Sequence, residues 1–531
     1  MDSFSTTDSK LNELWQDIAE IDEEISIHHK QIAQLAAKRK DVQQKINRRL
    51  PFINRLPFEL ISRILTLSTE SNQVFVSPDD ERYKWCAVLL LGAVCRQWRE
   101  ITLATPHLWS TVNIRLGRKE LWSNIANEWL QRLGALPLSI TFTYAKHGES
   151  IVDFDLVPLL RSHSIRWKSL NFNCVRDDIF YRLLDNLEDT RHIETIRLQC
   201  TTGSWRKMRP FMGEPICPKT FHLLYLSSKK FTGYFKWDNL THLVAEGIHS
   251  VDLTDILRQA IKIQHCVIVY SMREHEHQLV PIVNTSLTHL VITLWCLTDY
   301  LPFLTFPSLQ ILECRYSDRM NEVDVNVLVD FIDRSQAPLR DVICHLNVGN
   351  PVSAAGIWHP RFPNITHLNL NVTFKGATTM VLNIFELLAY DRDEIVHPSL
   401  QIIELTTKHM TPTIWSHFIN MFPQTLAERT PHERLPTNSS DTDLMPFSDS
   451  SLRRRLSKAC IILDHRSGIF DKRDVMKLHQ YLRLLDIQKS GVELELIGNG
   501  GIDLLQFAKK KYGSELEARQ QYQQQITEDG L

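Results

Sequence analysis

Hydrophobic residues recur at heptad spacing over residues 11–49. Leu11, Ile18, Ile25, Ile32 and Ile46 hold one seam position, and Leu14, Ile21, Leu35 and Val42 hold the other. His28 and Arg39 interrupt the seam, and charged residues such as Glu23, Glu24, Lys38 and Lys40 lie between, with no helix breaker. The pattern predicts one long helix with an apolar stripe that follows a partner helix. Isoleucine at one seam position and leucine at the other favours two strands in parallel coiled coils. Three partners fit this stripe: a second copy through residues 11–49, a different chain, or the chain's own body. Pro51 ends the helix.

The pattern then shortens. In LPFELISRIL, Pro57 suits a first helical position, because the amide it lacks is unpaired there anyway. Glu59 complements the helix dipole, and Leu60, Ile61, Ile64 and Leu65 form one apolar face. A polar loop, Ser68–Lys84, follows. LLLGAVCRQWREITLA predicts a second amphipathic helix, with Val94, Cys95 and Trp98 on one side and Arg96, Arg99 and Glu100 on the other, ended by Pro106. Two helices of this size cannot bury their faces alone.

From about residue 130 to 500 a looser unit repeats: apolar, two others, apolar, one other, apolar. It appears as Trp167, Leu170, Phe172; as Ile193, Ile196, Leu198; and as Phe221, Leu224, Leu226. Further units start at Leu240, Leu287, Leu309, Leu339, Ile365 and Leu400. Most lie about 20–30 residues apart, a leucine-rich-repeat spacing. The alternation closing each unit is strand-like. Segments 325–336, 383–393 and 474–486 are helical in pattern. Such units bury their faces only against neighbours, which predicts an α/β solenoid of parallel strands with helices. The asparagine that normally ends the consensus is mostly missing, so the repeats are irregular. An unrelated α/β domain with parallel strands is the alternative. Residues 424–455, rich in Ser, Thr, Pro and Asp, predict a mobile insertion, and residues 506–531 a charged, helical C-terminal tail.

Composition narrows the function classes. The chain has 531 residues and a formal net charge of −2, which gives no support to nucleic acid or a membrane surface as partner. The N-terminus lacks the features of a secretory signal, and the longest apolar run, Ala87–Cys95, is too short to cross a bilayer. A cytoplasmic or nuclear location is expected. Ten cysteines from Cys86 to Cys460 form no C-x-x-C pair, which predicts reduced, buried thiols and no zinc site. Gly498–Asn499–Gly500–Gly501 lacks the following Lys-Ser or Lys-Thr of a phosphate loop and fits a turn after a strand. No catalytic residue, cofactor site or metal site is predicted. His242, His289 and His367 each follow a threonine in the repeat, on alternating strand positions. His289, His367 and Asn369, together with Val291, are expected to point away from the core, and the first three are the candidate target-binding residues.

Three pieces of residues 50–112 occur in a telling order: LPFELI at 56–61, VCRQWR at 94–99 and TPHLW at 105–109. This segment resembles an F-box, of the long form found in F-box proteins numerous in mushroom-forming fungi. The loop Ser68–Lys84 is longer than in the commonest F-boxes. The resemblance implies that the segment docks a Skp-type adaptor and through it a cullin. Leu56, Pro57, Glu59, Ile64, Val94, Trp98 and Trp109 would make the adaptor contact or the core behind it. It also implies a repeat region that holds a target protein for ubiquitin transfer. The expected organisation is therefore a coiled-coil helix at 1–49, an F-box at 50–112, a leucine-rich-repeat-like solenoid at 113–505 with the insertion at 424–455, and the tail at 506–531. An adaptor-bound scaffold without a ligase role, and an enzyme with an unrecognised site, are the alternatives.

Overall fold

The heptad segment forms one unbroken helix, Ser5–Arg49. Its seam residues from Leu14 to Ile46 are all exposed, so no described part of the chain covers them. The structure, a computed structural model, describes residues 5–49, 56–70, 87–116, 122–144, 156–173, 177–185, 187, 189–199, 213–225, 233–272, 280–293, 300–315, 325–346, 364–372, 377–389, 397–408, 410–423, 456–463, 476–498 and 501–528. Pro51, most of the expected polar loop and the 424–455 insertion lie outside these residues. The chain divides into two compact units, Met1–Trp167 and Lys168–Leu531.

In the first unit the long helix is followed by the helices Phe58–Glu70, Ala87–Val94 and Arg96–Ala104 and a 3-10 turn, Pro106–Trp109. Strands β1 (Thr111–Leu116) and β2 (Leu138–Tyr144) then pair in parallel, joined through the helix Trp122–Leu133. That helix buries Ala126, Trp129, Leu130 and Leu133, and β2 buries Leu138, Ile140 and Phe142. Two expectations are corrected. The helix from Phe58 runs on to Glu70, so Ser68 is helical and not the start of the loop. Thr66, Ser68 and Thr69 donate their hydroxyls back to the carbonyls of Ser62, Leu65 and Thr66, so these polar side chains are satisfied within the helix. The expected single second helix is two helices, broken at Cys95, whose backbone is extended (φ −157°, ψ 173°). The Cys95 sulfur accepts the amide of Trp98 at 3.5 Å and so begins the next helix as a cap.

In the second unit the repeated pattern becomes strands: β3 (Trp167–Asn173), β4 (Thr195–Gln199), β5 (Thr220–Leu224), β6 (His242–His249), β7 (His265–Met272), β8 (Ile282–Val283), β9 (His289–Thr293), β10 (Leu304–Thr305), β11 (Ile311–Arg315), β12 (Asp341–Leu346), β13 (His367–Val372), β14 (Ile402–Thr407), β15 (Lys458–Leu463), β16 (Glu493–Gly498) and β17 (Ile502–Asp503). From β3 to β16 they lie side by side in chain order and parallel, with β8 and β10 forming a separate pair. β17 pairs antiparallel with β16, and Asn499 and Gly500 of the turn expected there lie outside the described residues.

Equivalent apolar residues fall opposite one another across this sheet. Leu170 faces Ile196, then Phe221, Leu243, Cys266, Leu290 and Leu312, and the row runs on through Leu368 and Ile403. These side chains are all buried. A second buried row starts at Phe172 and Leu198 and reaches Leu370 and Leu405. Among the described strand pairings, the register shifts only between β6 and β7, on either side of Glu246. Gly247 makes that irregularity feasible: its φ is +66°, and an added Cβ would lie 2.6 Å from the Tyr225 ring.

A repeated hydrogen-bond geometry holds the start of each strand. The amides of Thr241 and His242 both donate to the carbonyl of Lys219, those of Thr288 and His289 to Gln264, and those of Thr366 and His367 to Arg340. The hydroxyls of Thr241, Thr288 and Thr366 donate to the same three carbonyls. Threonine therefore does locally what a ladder asparagine would do. Asn284 is the buried asparagine that does act so: its amide donates to the carbonyls of Leu257 and Ala260, and its oxygen accepts the amides of Ser286 and Leu287.

Helices pack beside the strands. Val325–Ser335 lies as expected, burying Leu328 and Phe331. The helix expected at 383–393 is Ala377–Leu387, whose buried face is Met380, Val381, Ile384 and Phe385; residues 390–393 lie outside the described residues. The helix expected at 474–486 is Leu478–Lys489. Buried Gln480 begins it by accepting the Lys477 amide, and its own amide reaches the Pro412 carbonyl at 2.6 Å and the Ser416 hydroxyl at 2.9 Å. The helix Ser250–Gln259 and the helix Pro412–Ile419 were not anticipated. The C-terminal tail is helical, as Leu504–Tyr512 and Glu515–Glu528. It is docked, with Ala508 and Ala518 buried and Arg519 paired with Asp486 and Glu515.

Substitutions in the apolar rows should be costly. Leu290→Ala and Leu368→Ala are each expected to lower stability by about 2–5 kcal/mol, because the sheet cannot collapse onto the space left. Chemical denaturation of the full chain measures this. A loss below about 1 kcal/mol for both would contradict the core placement.

Candidate functional site

Two surfaces carry chemistry. The first is the helical hairpin of residues 56–109. Its inner side is held by Ile61, Leu65, Val88, Ile101 and Leu108, all buried. Trp109 is 3% exposed and donates its indole N–H to the Thr102 carbonyl at 2.9 Å. Trp129 in turn donates to the Trp109 carbonyl at 2.8 Å, and the two rings meet edge to face at 4.7 Å. Arg132 lies over the Trp109 ring, 5.2 Å from its centre. The Thr105 hydroxyl bridges the Ile101 carbonyl and the Ser62 hydroxyl, which ties the first helix to the last.

The outer side is apolar and uncovered. Leu60, Ile64 and Leu67 follow one face of the first helix and are each about half exposed, at 48–52%. Leu89, Leu90 and Val94 do the same on the helix Ala87–Val94. Isolated exposed leucines are ordinary, but two helical stripes on touching helices mark an interaction surface. Of the candidate adaptor residues, Ile64 and Val94 lie on these stripes. Pro57 and Glu59 are exposed at the start of the first helix, where the Pro57 carbonyl accepts the amides of Leu60 and Ile61. Leu56 and Trp98 are half-buried, and Trp109 belongs to the core behind. Leu60, Leu67, Leu89 and Leu90 were missing from the candidate set, although their apolar character and helical spacing were in view.

The second surface is the sheet face opposite the apolar rows. His242, His265 and His289 stand in register on neighbouring strands, with ring centres 5.7 and 4.3 Å apart. His367 lies between Asp341 and Glu404, at 3.7 and 3.5 Å. The Asn369 amide donates to Glu404, and Glu313 receives Arg315 at 2.6 Å with His345 at 3.4 Å. His289, His367 and Asn369 are half-buried on this face. Val291 departs from expectation. It is only 3% exposed: Val267 lies beside it on one neighbouring strand, with Val244 one strand further on, and Glu313 lies beside it on the other. His265 and His222 were not anticipated, although Ile263, Cys266 and Ile268 repeat the same apolar spacing as Leu287, Leu290 and Ile292.

Burial pushes the His222 imidazole down to about 4, helped by Arg197 and by His242. His265 is lowered by burial and then by His289 and His242. His289 is lowered by burial, against the pull of Glu313 and Asp341. These rings are neutral near pH 7, so each offers one donor and one acceptor nitrogen rather than a positive charge. Such a face suits hydrogen bonding to the polar groups of a peptide. Among the described residues, no group of three His, Cys, Asp or Glu side chains is arranged to hold a metal ion, and no helix is long and apolar enough to cross a membrane. The thiols of Cys266 and Cys314 are buried, and burial pushes Cys266 up to about 12, away from reactivity.

The lowered histidines set a pH dependence. Their folded-state pKa lies below the unfolded value, so their stability contribution is complete above about pH 6.5. It is lost as pH falls toward 4, because the unfolded chain takes up the proton first. The melting temperature should fall between pH 7 and pH 4.5, and less steeply in His222→Gln. An equally steep fall in that variant would remove His222 as a contributor.

No protein-family model matches the chain, and no curated protein matches it.

Proposed function

We propose that this chain is the substrate-recognition subunit of a Skp–cullin–F-box ubiquitin ligase. The observation that carries the reading is the hairpin of residues 56–109, with its apolar outer stripes over a tryptophan-pinned core. It coincides with the three sequence pieces that resemble an F-box. A surface of this kind fits a helical adaptor, with a few buried apolar anchors providing most of the binding energy. The second unit then serves as an irregular leucine-rich-repeat-like solenoid. Its sequential parallel strands and in-register apolar rows support that assignment. Its histidine-bearing face would hold the target protein. The chain supplies proximity and orientation, while the bond-making chemistry belongs to the conjugating enzyme carried by the cullin. No nucleic acid or membrane enters this reading.

The test is adaptor capture. Ile64→Asp with Val94→Asp places charges on exposed positions and should leave the fold intact. It should weaken binding of a purified Skp-type adaptor at least about tenfold, or 1.4 kcal/mol. Unchanged affinity would sink the F-box assignment. Adaptor binding without cullin recruitment would instead point to a scaffold. A triple substitution, His289→Ala, His367→Ala and Asn369→Ala, should keep adaptor binding and lower ubiquitination of the target, read by proximity labelling under proteasome inhibition.

A further inference from the structure

The helix Ser5–Arg49 leaves a long apolar stripe without cover. Leu14, Ile21, Ile32 and Leu35 are each more than half exposed, and the stripe continues through Ile18, Ile25, Val42 and Ile46. Its charges are segregated by sequence. Asp17, Glu20, Asp22, Glu23 and Glu24 lie in the first half, and Lys38, Arg39, Lys40 and Lys45 in the second. Compensation of the helix dipole does not account for this, since that effect is confined to the first and last turns, and Asp22 to Glu24 lie several turns in.

We infer that this helix pairs with the same helix of a second copy, antiparallel, with the acidic half of each against the basic half of the other. Two features decide the orientation. The first is the edge beside the seam, formed by Asp17, Glu24, Gln31, Lys38 and Lys45. In an antiparallel pair centred on Gln31, Asp17 faces Lys45 of the second copy and Glu24 faces its Lys38. Each contact occurs twice by symmetry. These side chains are exposed, and the ionic partner the structure gives Lys45 is Asp41, one turn away at 2.7 Å. In a parallel pair, Asp17 would instead approach Asp22 of the other copy, and acid would lie along acid.

The second feature is Arg39, which occupies a seam position. Parallel and in register, two Arg39 side chains would meet in one core layer, and two His28 side chains in another. Buried like charges without a partner are strongly unfavourable. In the antiparallel pair, seam positions of one kind face those of the other. Arg39 then lies against Ile21 and His28 against Ile32, so neither polar group meets itself. Ile25 faces Leu35, Ile18 faces Val42 and Ile46 faces Leu14, which closes the stripe with apolar layers. The ionic edge gives register, and the buried isoleucines and leucines give the driving force.

Charge variants of the full chain test both the pairing and its direction. Sedimentation equilibrium of the unaltered chain should show a dimer. Asp17→Lys with Glu24→Lys makes the edge wholly basic and should raise the dimer Kd by about tenfold or more. Lys38→Glu with Lys45→Glu makes it wholly acidic and should do the same. Mixing the two variants should restore association, because every edge contact again joins opposite charges. Far-UV circular dichroism confirms that each variant keeps its helix. A monomer for the unaltered chain at every accessible concentration would overturn the pairing. Tighter association of the Asp17→Lys, Glu24→Lys variant would overturn the antiparallel direction, since a parallel pair gains from losing the Asp17–Asp22 repulsion.

Discussion

The lateral bond between successive strands is the constraint on which the second unit depends. From β5 to β15 two successive amides at the start of each strand of the sheet share one carbonyl from the start of its neighbour, and at Thr241, Thr288 and Thr366 the hydroxyl adds a third donor. This fixes register, and register decides which side chains face which neighbours. With the strands locked in step, Leu170, Ile196, Phe221 and Leu243 form one buried row and do not scatter between faces. The helices then find a continuous apolar layer to cover. A slip of one residue at any strand would turn the leucines to the histidine face and leave both layers incompatible.

The same register builds the polar face. His242, His265 and His289 approach one another because their strands start level, not because they are near in sequence. Burial among their neighbours lowers the affinity of His265 and His289 for protons, and for His265 the nearby His289 and His242 lower it further. Further along the sheet carboxylates take over, with Glu313, Asp341 and Glu404 beside histidine and arginine. Over β6 to β14 the face therefore passes from histidines to paired charges.

The first unit follows a different logic. Trp109 of its hairpin points inward and, with Trp129 of the following helix, bonds to a backbone carbonyl and packs edge to face. Phe58, Leu60, Ile64, Leu89, Leu90 and Val94 remain outside. The long helix likewise keeps its seam uncovered. Both elements keep apolar side chains exposed, whereas the apolar rows of the sheet are buried.

Much of this was legible in the chain. The heptad stripe determined the helix Ser5–Arg49, and the spacing of Leu287, Leu290 and Ile292 and its equivalents placed eight strands of the sheet in step, because period and burial are local properties; the unit Phe221, Leu224, Leu226 is out of step, since Phe221 lies opposite Ile196 and Leu223 opposite Leu198. The inward placement of Leu290 and Leu368 followed from the same alternation. Other features needed the tertiary structure. The break at Cys95 arises from a cap that no apolar pattern records. Val291 is buried between Val267 and Glu313 on the strands either side, and the helix Ala377–Leu387 is set by what it covers. The histidine row exists only once parallel strands align His265 with His242 and His289. Sequence determined what each segment could become, since propensity and periodicity act over a few residues. The tertiary structure decided which surfaces stayed open, because exposure depends on neighbours far along the chain.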